Sequence, residues 1–204
     1  MSQANAALGK VDWSGENPGM YLKAGESGPF ITLVSFFRVV TSPHGRGHAA
    51  FLLLDPHGDG KGADRPNVCL TDNEPLAGYL AAGFVSSFGA FRDAKGLRSI
   101  RYQPGWDFMA AGDGQTRHAE WFRSTVGQVH LQWNELSDPF LVDLEPEQSA
   151  TGKHRMVSLF FDARSVSISI NGKSAAGKPV PREFAGKRDS STAFLAFSET
   201  WVKA

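Results

Sequence analysis

A chain of 204 residues is long enough to bury a sizeable core, and its 21 basic and 21 acidic side chains leave it without net charge. No run or stripe of lysine and arginine occurs, which argues against nucleic acid or an anionic membrane surface as a partner. A net charge near zero gives little protection against self-association, so a homo-oligomer stays open.

The N-terminus and the cysteine content predict a cytoplasmic protein. Residues 1–7 lack the positive and apolar segments of a secretory signal. The longest apolar run, around residues 30–40, is far too short to cross a bilayer as a helix. The single cysteine, Cys69, excludes an intrachain disulfide, and its place between Val68 and Leu70 indicates a small buried thiol.

Short runs of aromatic and β-branched residues, separated by many of the 22 glycines and 11 prolines, predict a chain rich in β-strands. The predicted strands cover residues 19–23, 30–41, 48–54, 66–70, 97–102, 116–124, 128–136, 140–144, 155–161, 166–170 and 192–201. The strand at 30–41 is apolar on both faces, which predicts a central position. Asn171-Gly172 predicts a two-residue hairpin turn. Alternation in the last strand predicts Leu195 and Trp201 on one face.

Residues 73–92 form the one segment that predicts an amphipathic helix. Asp72 or Asn73 is suited to cap it. Its apolar stripe consists of Leu76, Leu80, Phe84, Phe88 and Phe91. We therefore predict an α+β, strongly β-rich fold, with a curled antiparallel sheet or barrel and this helix packed against it. We expect one domain over residues 1–204, and the alternative architecture is a β-sandwich.

Residues 115–136 carry the polar side chains most able to perform chemistry. With residues 125–127 as a three-residue loop and Gly127 at its positive-φ position, the hairpin register gathers several polar side chains on one face. They are His118, Glu120, His130, Gln132 and Asn134. Glu120 and His130 are then diagonal neighbours, close enough for a hydrogen bond that makes His130 a better base near neutral pH.

These patterns predict a small-molecule binding protein that holds an apolar or aromatic ligand in a pocket of the curled sheet. Phe84 and Phe88 would form its wall, while His118, Gln132 and Asn134 would orient the ligand. No cofactor is predicted, because no phosphate-binding loop occurs.

Two alternatives remain open. One is an enzyme in which His130 and Glu120 act as catalytic acid and base. A metal held by these two residues and His118 would assist it, although the spacing fits loosely and no metal site is predicted. The other is a β-sandwich that recognises carbohydrate or protein through exposed aromatic residues. Those residues would be Trp13, Tyr102 and Trp106.

Overall fold

Fourteen strands run through residues 9–60 and 65–203, which are the residues that the computed structural model describes. They are β1 (Lys10–Glu16), β2 (Gly19–Lys23), β3 (Phe30–Thr41), β4 (Gly47–Leu53), β5 (Asn67–Thr71), β6 (Arg101–Gly112), β7 (Arg117–Ser124), β8 (Gly127–Leu136), β9 (Phe140–Leu144), β10 (His154–Ile170), β11 (Lys173–Ser174), β12 (Pro181–Phe184), β13 (Lys187–Ser191) and β14 (Ala193–Lys203). Residues 1–7, for which no secretory signal is predicted, lie outside this range.

Nine strands close into a barrel in the order β14-β2-β3-β4-β5-β6-β7-β8-β10, and β10 completes the ring by pairing with β14. The predicted barrel with one helix against it is confirmed, and its closure replaces the alternative sandwich. One pair is parallel rather than antiparallel: β5 and β6, where Val68 lies opposite Arg101. Parallel neighbours need a long crossover, which here contains the helical segment between the two strands.

The barrel wall separates two apolar cores. The interior core draws on strands all around the ring and contains Met20, Leu22, Val34, Phe36, Ala50, Leu52, Val68, Leu70, Phe122, Val129, Leu131, Trp133, Phe161, Ala163, Ile168, Ala193 and Leu195. The outer core lies between the outside of the barrel, the helical segment, β1 and β9. The strand β3 alternates between them and is apolar on both faces, as predicted, because it is covered on both sides. Cys69 is fully buried in the outer core, as predicted.

The helix is shorter than the predicted 73–92. Helix α1 spans Glu74–Gly83, a 3-10 turn follows at Val85–Ser87, and a four-residue helix α2 covers Lys95–Arg98. Residues 83–89 contain two glycines, two serines and one valine, which favour a helix poorly. The predicted apolar stripe nevertheless stays buried in the outer core. No helix in the described residues is long and apolar enough to cross a membrane.

Replacing Asn73 with alanine should lower the free energy of unfolding by about 1–2 kcal/mol. The Asn73 Oδ1 accepts the backbone N–H of Leu76 at 3.1 Å, which caps α1. Its Nδ2 donates to the carbonyls of His44 and Arg46, each at 3.0 Å. Asn73→Ser keeps a capping oxygen and puts no charge against these carbonyls, so the free energy of unfolding measured in urea should fall less than for Asn73→Ala. Equal stability of wild type and Asn73→Ala would contradict this role of the cap.

Candidate functional site

The β7–β8 hairpin turns one residue earlier than predicted. Its turn consists of Thr125 and Val126 alone, so Ser124 lies opposite Gly127. The predicted three-residue loop is therefore wrong. A shift of one residue moves the side chains of one strand to the other face of the sheet.

Asn171, in the turn between β10 and β11, explains the observed register. Its Oδ1 accepts the backbone N–H of Gln128 at 3.0 Å, and its Nδ2 donates to the carbonyl of Val126 at 2.7 Å. Gly127 has φ 110°, and a Cβ there would lie 1.8 Å from the Asn171 Oδ1. The turn is thus held by a side chain 43 residues away, and only glycine fits beside it.

The five polar side chains predicted to share one face are divided by the barrel wall. His118 and Glu120 point inward, where Glu120 is fully buried and lies opposite Leu131 of the interior core. His130, Gln132 and Asn134 point outward. The structure therefore does not bring Glu120 and His130 together.

Glu120 forms an ion pair at one end of the barrel interior. Its two carboxylate oxygens accept hydrogen bonds from the Arg38 Nη1 and Nη2 at 3.0 and 2.6 Å. The His118 Nε2 lies 2.9 Å from the Glu120 Oε1. The carboxylate is committed to these partners, and their arrangement indicates a structural role.

His130 lies outside the barrel beside a recess of about 500 Å³. Its ring stacks on Trp121 with centroids 4.9 Å apart, and burial lowers the pKa of His130. Gln132 donates to the Asn134 Oδ1 at 2.7 Å, so these two amides bind each other. In residues 9–60 and 65–203, no three or more His, Cys, Asp and Glu side chains are grouped to hold a metal ion.

The aromatic residues proposed for exposed recognition do not form a surface patch. Trp13 is fully buried in the outer core, Tyr102 is partly buried against it, and Trp106 is 43% exposed in β6. Phe84 packs against Trp13 and lies inside the outer core. Of the predicted binding residues, it is Phe88 that reaches the pocket described next.

A half-open pocket of about 230 Å³ lies on the outer side of the barrel wall. Its floor comes from β2, β10 and β14, while its sides come from the turn after α1, the loop after β9, and β12. Its aromatic lining consists of Tyr21, Phe88, Phe160, Phe184, Phe194 and Trp201. Side chains of the interior core occupy the inside of the barrel, so the pocket that Phe88 lines lies on its outer side.

A β-bulge in β14 turns two side chains toward this pocket. Ser198 and Glu199 together oppose the single residue Ser158 of β10, and Ser198 has a φ of 51°. Leu195 therefore points into the barrel, whereas Trp201 joins the outer core. The prediction that these two share a face is wrong, because the extra residue reverses the alternation. Glu199 and Trp201 both line the pocket as a result.

Glu199 is a buried carboxylate with neutral hydrogen-bond partners. Its Oε1 accepts from the Trp201 Nε1 at 2.6 Å and from the Asn17 Nδ2 at 3.5 Å. The Ser35 Oγ donates to the Asn17 Oδ1 at 2.7 Å, which orients that amide. Burial raises the pKa of Glu199 to about 7. The pocket therefore contains a carboxyl group that changes charge near neutral pH.

Arg182, on β12, brings a guanidinium to the same pocket. Its Cζ lies 4.5 Å from the ring centroid of Phe184, 4.8 Å from that of Phe194 and 6.0 Å from that of Tyr21. Within the described chain, its Nε and Nη2 are buried without a hydrogen-bond partner. No ion pair joins Arg182 to Glu199 among these residues. Burial lowers the pKa of Arg182, but a guanidinium keeps its charge.

A wider recess of about 700 Å³ at one end of the barrel has a different character. Its Arg65 is bound to the protein, because Nε donates to the carbonyl of Leu54 at 2.7 Å and Nη2 to that of Ile31 at 3.3 Å. The smaller outer pocket instead combines aromatic walls with a buried guanidinium that lacks such bonds. We therefore take the outer pocket as the candidate functional site.

Sequence reasoning missed Arg182, Glu199 and Tyr21. Residues 173–190 are rich in glycine, proline and lysine and predict a loop, but they contain β11, β12 and β13. The one local signal for Glu199 is the polar run 198–200, which interrupts an otherwise apolar strand. Such a run is compatible with a bulge but does not reveal which side chains the bulge turns outward.

Comparison with known proteins finds no matching family model, no matching curated sequence and no matching solved structure. The chemistry of this chain therefore has to be inferred from the geometry of its own residues.

Proposed function

We propose that this protein binds a small ligand with an aromatic or apolar body in the outer pocket. The observation that carries the proposal is the aromatic lining of a half-open cavity that also contains two buried ionisable groups. Small-molecule sites commonly have this composition: apolar walls give affinity, and a few polar groups fix orientation.

The size of the pocket sets the size of the ligand. A dry engineered cavity of about 150 Å³ is known to hold benzene. A pocket of about 230 Å³ therefore has room for one substituted ring or a small fused bicycle. Phe160 and Phe194, stacked at 4.7 Å, offer a rigid surface for such a ring, since their side chains are nearly fully buried.

Indole is a suitable neutral probe, and Trp201 supplies a local readout. Its Nε1–H donates to Glu199 at the pocket wall, so a bound ring should shift its indole N–H resonance in a ¹H–¹⁵N spectrum. Trp201→Phe identifies that resonance among the five tryptophans. We expect a saturable shift at Trp201 and no comparable shift at Trp106, which does not line the pocket.

Blocking the pocket should abolish this binding. Gly89 lines the pocket, is exposed, and has no atom within 4 Å of an added Cβ, so Gly89→Phe adds bulk without a backbone clash. Gly83→Phe is the matched control, because Gly83 is equally open but does not line the pocket. Indole should bind the Gly83 variant like wild type and the Gly89 variant at least about tenfold more weakly. Equal binding by both variants, or no binding by the wild type, would refute the proposal.

A further inference from the structure

The guanidinium of Arg182 is a buried positive charge that lacks an anionic partner in the described residues. Its Nε and Nη2 have no hydrogen bond, and its faces contact the rings of Phe184 and Phe194. Cation–π contact recovers part of the cost of removing the charge from water, but leaves the N–H donors unsatisfied. Buried polar groups in proteins are almost always hydrogen-bonded, so the unsatisfied N–H donors of Arg182 indicate a partner beyond the described residues.

The neighbouring acidic groups of the protein do not fill this role. Asp162 attracts Arg182 electrostatically, but its carboxylate is occupied by the Lys187 Nζ at 2.6 Å, the Ser190 Oγ at 2.6 Å and the backbone N–H of Ser191 at 2.9 Å. Tyr21 lies beside the guanidinium but stays neutral, because burial raises its pKa well above the usual value. Among the described residues, no carboxylate is therefore free to bind Arg182, which leaves the place of its anion to a ligand.

In another arginine of this protein, Arg155, the corresponding nitrogen atoms Nε and Nη2 bind a carboxylate. The Arg155 Nε and Nη2 donate to the two oxygens of Asp143 at 2.8 and 2.6 Å. This side-on arrangement matches the spacing of carboxylate oxygens and gives short, charge-assisted bonds. The two unsatisfied nitrogens of Arg182 are that pair.

We infer that the ligand of the outer pocket is a small organic acid, whose carboxylate binds Arg182 while its aromatic or apolar body lies along the ring-lined wall. This inference rests on the proposed binding function. A single guanidinium neutralises one negative charge, which favours a monoanion over a phosphate ester. Glu199 lines the same pocket and also disfavours a second negative charge there.

Access to Arg182 requires a local movement. The Nε and Nη2 have no contact with solvent, whereas Phe184 on the same strand is only partly buried. A carboxylate oxygen reaches these atoms if the Phe184 ring turns aside. Ligand binding should therefore change the resonances of β12 as well as that of Trp201.

The test compares two probes of similar size and shape, the anion indole-3-carboxylate and the neutral indole-3-carboxamide. Titration of the full chain, followed at the Trp201 indole N–H, should give about tenfold or more tighter binding of the carboxylate. Arg182→Gln should remove this preference, so that the carboxylate and the carboxamide bind the variant with similar affinities. Arg188→Gln is the matched control, because Arg188 is exposed on the same hairpin, and should keep the preference.

Each outcome separates the two proposals. Equal affinity of the wild type for the carboxylate and the carboxamide would overturn the organic-acid inference while leaving the binding function intact. A carboxylate preference that survives in Arg182→Gln would overturn the role of Arg182. Failure of all three indoles to bind the wild type would overturn both. The ratio of the two affinities in the wild type decides the ligand class even if Arg182→Gln does not fold.

Discussion

Replacing Glu120 with alanine should lower the free energy of unfolding by about 3–5 kcal/mol, because it leaves a guanidinium without its buried partner. Glu120 is fully buried, and both its oxygens accept bonds from Arg38, whose side chain is 24% exposed. Arg38 keeps one bond to Glu16 at 2.7 Å, which places the expected loss near the lower limit. The loss is measured by urea denaturation at pH 7.

Asp143→Ala provides the comparison, because it removes the carboxylate from an exposed arginine pair. Arg155 and Asp143 are 28% and 41% exposed, so breaking their pair should cost at most about 1 kcal/mol. Similar losses for the Glu120 and Asp143 variants would contradict a buried structural role for Glu120. Glu120→Gln should also retain indole binding where it folds, since Glu120 does not line the outer pocket.

Glu199→Gln should stabilise the protein by about 3 kcal/mol at pH 8.5 and leave its stability nearly unchanged at pH 4. Burial raises the pKa of Glu199 from 4.5 to about 7, so the folded state holds this proton more tightly than the unfolded state. The Glu199 carboxyl therefore reduces stability progressively as pH rises from about 4.5 to 7, and its full penalty remains above that window. Glutamine keeps an acceptor for Trp201 and Asn17 but carries no charge.

The measurement is the difference in unfolding free energy between wild type and Glu199→Gln across pH 4 to 9. Taking the difference removes the contributions of the other titrating groups, provided they are unchanged by the substitution. A difference that grows between pH 4.5 and 7 is expected. A constant difference would show that Glu199 titrates alike in the folded and unfolded states. Glu183→Gln, at an exposed position on β12, is the matched control substitution.

Burial of the ionised Glu199 carboxyl group lowers the stability of the folded protein, which indicates that the group serves a function. The bulge at Ser198 adds to this loss of stability, because a non-glycine residue at a φ of 51° is strained. Strained backbone and unpaired buried charge often occur together at functional sites. In this protein Glu199 directly follows the bulge residue Ser198 on β14 and lines the outer pocket together with Arg182 of β12.

The sequence by itself determined the local features of this protein. Alternating and apolar runs predict most barrel strands closely, including Phe30–Thr41 covered on both faces, because burial on a sheet repeats every two residues. Asn171-Gly172 predicts its turn, since both residues accept positive φ, and the capping of α1 by Asn73 is likewise local. The apolar stripe that includes Phe88 is predicted as well, because the spacing of its residues in the sequence is also a local pattern.

Tertiary structure alone decided which face each side chain occupies and where the pocket lies. The hairpin register depends on Asn171, 43 residues from Gln128, and the orientation of Glu199 depends on a bulge opposite Ser158. Either event shifts a strand by one residue and so exchanges its two faces, and no local pattern reveals which side chains then face the pocket. The placement of Arg182 against the barrel depends on a hairpin folding over β14. Contacts between distant parts of the chain therefore create the candidate site. The strands that support it, in contrast, are predicted by the local sequence pattern.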